Sequence, residues 1–420
     1  MKTLLFRAIY FCFLLLLCQC KKDESPGTSI TQDKFLKVLI KAGVDKDHDG
    51  KVSPAEALMV ASLDVSGDTL DDMKGINAFT NLDTLICSFN NLKSLDLSEN
   101  TKLVYLDCGY NPLGTLDVSA NIHLSVLICQ YNRLAELDLS KNLLIQGLNC
   151  QGDSLTSLDV SNLASLMNLD CSMNKLTQLD VTHNAFLASL NCFYNKISVI
   201  DISLNPSLSE VNCGGNMLST IDVSHNPYLQ GLNCSANLIS NLDLSRNPLL
   251  FWLYCTDNLL STLDISANTD LVFFDCQRNA LASMDISHNL ELDRFTCAEN
   301  QLTILDLSHN LKLEQFDCDQ NLLTTLNLTN NVELRYLNCT NNLLTTLIVA
   351  GSPYLQELYC NVNQLSTLDI SHNPMLKELY IGDLPTLTKV CVWVMPFPPS
   401  NCNVFKGNSP NVVYSTDCSQ

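Results

Sequence analysis

Residues 82–102 read LDTLICSFNNLKSLDLSENTK and residues 103–123 read LVYLDCGYNPLGTLDVSANIH, two lines of 21 with Leu, Cys, Asn, Asp and Ser at matching places. The same cysteine recurs fourteen times at intervals of 21, from Cys87 to Cys360. Two places before each stands an apolar residue, Leu except at Val211, Phe274, Phe295 and Phe316. Three places after each stands Asn, except at Asp153. Self-similarity at a fixed short period is the mark of a stacked-repeat architecture, in which each unit makes one coil.

Elementary geometry gives each position a reason. In Leu-x-Cys the two apolar side chains fall on one face of a short strand and the residue between them on the other. One coil cannot bury that face alone, so neighbouring coils must cover it, which builds a parallel sheet. Asn90 through Asn363 sit where the chain bends and satisfy backbone groups that the bend leaves unpaired. The cysteines, facing inward between leucine layers, are expected to be reduced packing residues with little thiolate character. A metal-binding row would need companion His or carboxylates on that inner face, and the pattern supplies none there. The second half of the unit, L-D-L-S-x-N, implies a second short strand or extended turn on the opposite side. Eleven consecutive coils carry Asp there, from Asp96 to Asp306. Ser or Thr two places later, as in Ser98, Ser119 and Thr182, can donate to those carboxylates and offset their repulsion; a cation-binding stripe is the other reading.

The unit L-x-x-L-x-C-x-x-N-x-L resembles the leucine-rich repeat, with Cys in the third Leu position. The resemblance covers residues 82–375 and implies a repeat solenoid of the right-handed α/β type dominated by parallel β-strands. Residues 63–81 look like an irregular first repeat, with Val65 in the cysteine position. Residues 376–420 are expected to form an irregular C-terminal cap, since Ile381 replaces the next cysteine and the register is expected to stop. Val390-Cys391 and Tyr414-Ser415-Thr416-Asp417-Cys418 resemble the closing cap of related bacterial repeat proteins, which implies a Cys391–Cys418 disulfide and leaves Cys402 unassigned. Spacing alone leaves three pairings open among the three cysteines.

Residues 34–62, ahead of the first repeat, contain DKDHDGKVSPAE at 45–56. This dodecamer matches an EF-hand loop: Asp45, Asp47 and Asp49 at positions one, three and five, Gly50 at the sharp bend, Lys51 offering a carbonyl, then Ser53 and Glu56. Calcium is therefore the expected cofactor. A single loop with little helix after it points to a static calcium-pinned cap on the open end of the solenoid, where repeat proteins need one.

At the N-terminus, Lys2 and Arg7 precede an apolar run from Ala8 to Cys18, right for a signal peptide and too short to span a bilayer. Leu17-Cys18-Gln19-Cys20 resembles a bacterial lipobox, with Gln19 departing from the usual small residue. The expectation is a lipoprotein signal peptide at 1–19, lipidation at Cys20, and a polar tether at 20–33. Lys21-Lys22-Asp23-Glu24 is similar to the tag that carries some lipoproteins to the outer face of the outer membrane.

A formal charge of -20 excludes nucleic acid as a partner, because binding it rests on Lys and Arg neutralising phosphates. Enzyme chemistry is not expected either: five of the seven histidines (His183, His225, His288, His309, His372) fall at one turn position, and no nucleophile, base and acid converge. The resemblance to internalin-like bacterial surface proteins implies non-enzymatic adhesion through a protein ligand on the concave face; a glycan-binding lipoprotein assisting nutrient capture is the alternative. The expected anchors occupy the outward slots of the strands: Trp252, Tyr254 and Phe273 in one group, Phe89, Tyr110 and Tyr131 in another.

Overall fold

In the computed structural model, residues 34–409 and 412–418 are described. The signal peptide, the tether and Cys20 lie outside the described residues. Each coil lays down one three-residue strand, and seventeen of these form one parallel sheet running from Ser62–Asp64 to Asn403–Phe405. Register is strict: Leu85 pairs with Leu106 and Leu106 with Leu127, so the inward residue of every strand lies over its neighbours. These leucines and the cysteines two places on are fully buried together. Where Phe replaces Leu in three consecutive coils, Phe274, Phe295 and Phe316 stack with centroids 5.3 and 5.5 Å apart.

The backs of the coils are not helical but turns and short strands, as the L-D-L-S-x-N half of the unit implied. Among the described residues the helices are α1 (Lys34–Lys41) and α2 (Pro54–Ala57), with a 3-10 turn at Ile76–Ala78. Twenty-one residues leave little chain for a helix, and L-D-L-S-x-N folds locally instead. The Ser98 amide and hydroxyl both donate to Asp96 Oδ1, at 3.1 and 2.7 Å, and this turn recurs along the row. Toward the C-terminus the backs straighten into a second parallel sheet of five strands, from Thr325–Asn327 to Val413–Ser415.

Two asparagine ladders tie the coils together. Asn111 Nδ2 donates to the carbonyls of Cys87 and Cys108, both at 3.0 Å, while its Oδ1 accepts from the Leu92 amide. The second ladder runs along the back: Asn121 Nδ2 bridges Leu97 O and Asn100 O at 3.1 and 2.9 Å. The front ladder satisfies the Cys87 and Cys108 carbonyls, and a buried carbonyl without a donor costs about 1–3 kcal/mol; the back ladder adds a coil-to-coil bond to carbonyls that already accept a turn N–H.

The ends differ from the middle. α1 buries Phe35, Leu36, Val38 and Leu39 against the first coil, and Lys34 Nζ bonds Thr69 across that junction. At the far end the register does not stop at Ile381. Ile381 fills the cysteine slot fully buried, and strands Glu378–Tyr380 and Asn403–Phe405 extend the long sheet in register. An apolar side chain, here a larger one, suffices where packing, not sulfur chemistry, is the requirement. Cys391 and Cys418 are joined, their Cα atoms 5.5 Å apart, and Cys402 is buried and free.

Candidate binding surface and candidate metal loop

The long sheet is the side that lines the concave face of leucine-rich-repeat solenoids. On strand Trp252–Tyr254 the inward residue is Leu253, so Trp252 and Tyr254 both point outward. Their rings stack, with centroids 5.3 Å apart and planes 29° from parallel. Trp252 is held from one side by an absence: a Cβ on Gly231, its partner on the preceding strand, would lie 2.1 Å from the indole. The ring therefore rests against the Gly231 backbone, whereas Tyr254 is 39% exposed.

This pair divides the sheet face into two depressions. Trp252 borders one of about 490 Å³, floored by small residues such as Gly147, Asn149 and Ser189. Tyr254 borders the other, of about 410 Å³, with Phe273, Asp275, Arg294, Asp317 and Tyr336. In the latter, Arg294 sits 5.6 Å over the Phe273 ring, a cation–π contact. Burial raises the carboxyls of Asp275 and Asp317 above the ordinary range. The three residues expected to act together, Trp252, Tyr254 and Phe273, thus do share one surface.

Phe89, Tyr110 and Tyr131 are placed differently from the expectation. They are not in strand slots; each lies just past a strand, at a turn with φ of 56°, 55° and 55°. Their rings stack on one another at 4.3 and 4.8 Å, covering the sheet's edge. The turn's left-handed residue is what moves them off the strand, since it follows directly after Cys-x. A further aromatic column escaped the sequence reading: Tyr359, Tyr380 and Phe405 stack at 4.4 and 4.2 Å, and the Tyr359 hydroxyl lies 3.1 Å from a carboxylate oxygen of each of Glu357 and Glu378, sharing its one proton between them. Its signal was present as Tyr at the place after the inward Leu, 21 residues apart in 359 and 380.

The repeated polar groups are explained by structure. The fourteen ladder cysteines are free and buried, and burial pushes their thiols up, to about 12 at Cys192 and Cys234. Hydrogen bonds from Ser98 lower the Asp96 carboxyl despite repulsion from Asp117. His225 Nδ1 lies 3.1 Å from the Ser224 hydroxyl in an exposed turn, as do its counterparts near theirs. Asp153 is the exception in the front ladder: its Oδ1 accepts from the amides of Asn132 and Leu134, its Oδ2 is buried without a partner, and burial raises it to about 6.

The metal loop lies between α1 and α2. One carboxylate oxygen from each of Asp45, Asp47 and Asp49 falls within 4.8 Å of the other two. Asp45 is 4% exposed; its Oδ2 accepts from the Gly50 amide at 3.0 Å, and its Oδ1 has no partner. Glu56 is turned to the backbone: Oε1 accepts from Lys46 N at 2.5 Å and Asp47 N at 3.3 Å, Oε2 from Ser53 N and Oγ at 2.8 Å each. Ser53 caps α2 and Glu56 completes its capping box. These hydrogen bonds lower the Glu56 carboxyl against the opposing effect of burial, the largest single influence.

Among the described residues no helix is long and apolar enough to cross a membrane. No protein-family model matches the chain. Among solved structures, the functional domain of InlJ from Listeria monocytogenes, described as including a cysteine ladder, is 34% identical with a TM-score of 0.69, the match covering 81% of this chain and 70% of that one. A leucine-rich-repeat protein of Leptospira interrogans shares the fold at 20% identity and TM-score 0.63, covering 84% and 97% of the two chains. An internalin (InlF) of Listeria monocytogenes strain 4b F2365 does so at 17% and 0.63, covering 77% and 93%. Internalin J of Listeria monocytogenes serotype 4b (strain F2365) is 42% identical over 50 residues, 12% of this chain and only 6% of that protein's length.

Proposed function

Because the chain belongs to the internalin-like leucine-rich-repeat proteins built around a cysteine ladder, we propose that it is a non-enzymatic binding protein whose long-sheet face takes a protein ligand at the cell surface. The observation that carries this reading is the Trp252–Tyr254 pair, a fixed aromatic ridge with a depression on either side. Aromatic side chains locked before binding lose little entropy on contact, and Trp and Tyr truncations at interfaces often cost about 2 kcal/mol or more. Phe273 and Arg294 extend the ridge. The formal charge of -20 favours a basic partner patch and a salt-sensitive encounter.

Display is assigned to the N-terminal segment: signal peptidase processing before Cys20, lipidation of its thiol, and passage to the outside of the outer membrane on the Lys-Asp-Glu run. The test of the binding role is Trp252→Ala with Tyr254→Ala, both outward-facing residues. Binding should be lost while the melting temperature barely moves; undiminished binding would refute this placement. A glycan ligand is favoured by one feature, the grouping of Tyr254, Asp275, Arg294 and Asp317 in a shallow depression. A glycan array run beside a protein pull-down separates the two.

A further inference from the structure

The acidic loop at the N-terminal cap gathers three carboxylates around a buried, unpartnered oxygen. Asp45 Oδ1 is buried and unpartnered, and one carboxylate oxygen of Asp45 lies within 4.8 Å of single oxygens of Asp47 and Asp49. A buried carboxylate oxygen without a donor is costly, and one beside two further carboxylates is costlier. Among the described residues no ion pair joins any of the three to Lys or Arg. The charge that would balance them is therefore not supplied by the protein. All donors are oxygen, as hard cations require, and the set is too acidic and too free of nitrogen or sulfur to suit a transition metal.

We propose that this loop binds one calcium ion through Asp45, Asp47 and Asp49, with Lys51 offering its carbonyl, and that the ion fastens the cap onto the first coil. Glu56 departs from the role its loop position implies. Both its oxygens are occupied by backbone and Ser53 donors, so it is a positioning residue that holds the start of the loop against the start of α2. The mechanical link to the solenoid is short. Val44 and Val52, on either side of the acidic cluster, are buried in the same core as Leu63 and Val65 of the first coil. Fixing the loop therefore fixes the apolar lid over the open end, where exposed strand edge and leucines would otherwise meet water. This site is independent of the binding face some repeats away.

Titration calorimetry on the full chain, stripped with chelator and then given calcium chloride, tests it. One site is expected, with magnesium far weaker. Asp47→Asn with Asp49→Asn, both exposed, should weaken calcium about 100-fold, because carboxylate count sets affinity in such loops, while the chelator-treated variant should melt no lower than the chelator-treated parent. Glu56→Gln should weaken calcium less than that pair does, and hydrogen exchange in residues 34–65 should slow on adding calcium to the parent. A flat titration, equal binding by the Asp47/Asp49 variant, or exchange in the cap indifferent to calcium would each overturn the proposal.

Discussion

Trp252 occupies the space that a side chain at Gly231 would need: a methyl built on Gly231 would come within 2.1 Å of the indole. The two are in-register partners on adjacent strands, so the glycine at 231 and the tryptophan 21 places later form one unit. Gly231→Ala should force the ring off the sheet, change near-ultraviolet circular dichroism as Trp252→Phe does, and weaken ligand binding with intact repeats. If the spectrum and binding are unchanged, the ridge is not set by that contact.

Asp153 should make stability depend on pH in an unusual direction. Its native carboxyl is raised to about 6, above an unfolded value of about 4, so the native state favours the proton. Its contribution is fully favourable below pH 4 and is lost as pH rises through 6. With partial solvent screening of the carboxyl, the loss is on the order of 1–2 kcal/mol. Asp153→Asn restores the ladder's donor, and its advantage over the parent in urea unfolding should be larger at pH 7.5 than at pH 4.5.

The back ladder should be structural coil by coil. Asn226 Nδ2 bridges Ile202 O and Asn205 O at 3.1 and 2.9 Å, so Asn226→Ala removes two coil-to-coil hydrogen bonds and leaves each carbonyl only its turn N–H, from Asn205 at 3.1 Å and Leu208 at 3.2 Å. A loss of about 2 kcal/mol is expected in denaturant unfolding, with no change in calcium binding at the distant cap.

The cysteine ladder should be chemically silent. Thiols raised by burial carry almost no thiolate at neutral pH, so the fourteen between Cys87 and Cys360 should resist a thiol reagent at pH 7.5 in the native protein and react on unfolding. Mass spectrometry after alkylation counts them directly.

Replacing Cys20 with Ala should release the protein from the membrane fraction, and altering Lys22, Asp23 and Glu24 should shield it from protease added to intact cells. Retention of the Cys20 variant in membranes would count against the anchor.

The 21-residue spacing made the inward Leu–Cys rows, the front asparagine ladder and the parallel sheet readable from sequence. Each of these follows from a period and an apolar face, which are one-dimensional quantities. The clustering of Asp45, Asp47 and Asp49 was equally readable, because the three lie within five residues of one another. What spacing could not convey was backbone sign: Phe89, Tyr110 and Tyr131 share a period with the strands, but a left-handed turn carries them to the sheet's edge. The continuation past Ile381 was hidden because the repeat's spacing breaks while the pairing persists through Tyr380 and Phe405. The role of Glu56 needed the folded arrangement too, since the same residue in the same place can ligate a cation or cap a helix.

The central claim is that the long-sheet face, and not the back of the coils, meets the ligand. A photo-crosslinking side chain at Thr296, which lines the depression beside Tyr254, can be compared with one at Ser266, exposed on the back of a neighbouring coil. After irradiation with surface-protein extract, a discrete protein adduct at Thr296, abolished by Trp252→Ala with Tyr254→Ala, is the predicted result. Adducts confined to Ser266, or equal at both positions and unaffected by those substitutions, would contradict it.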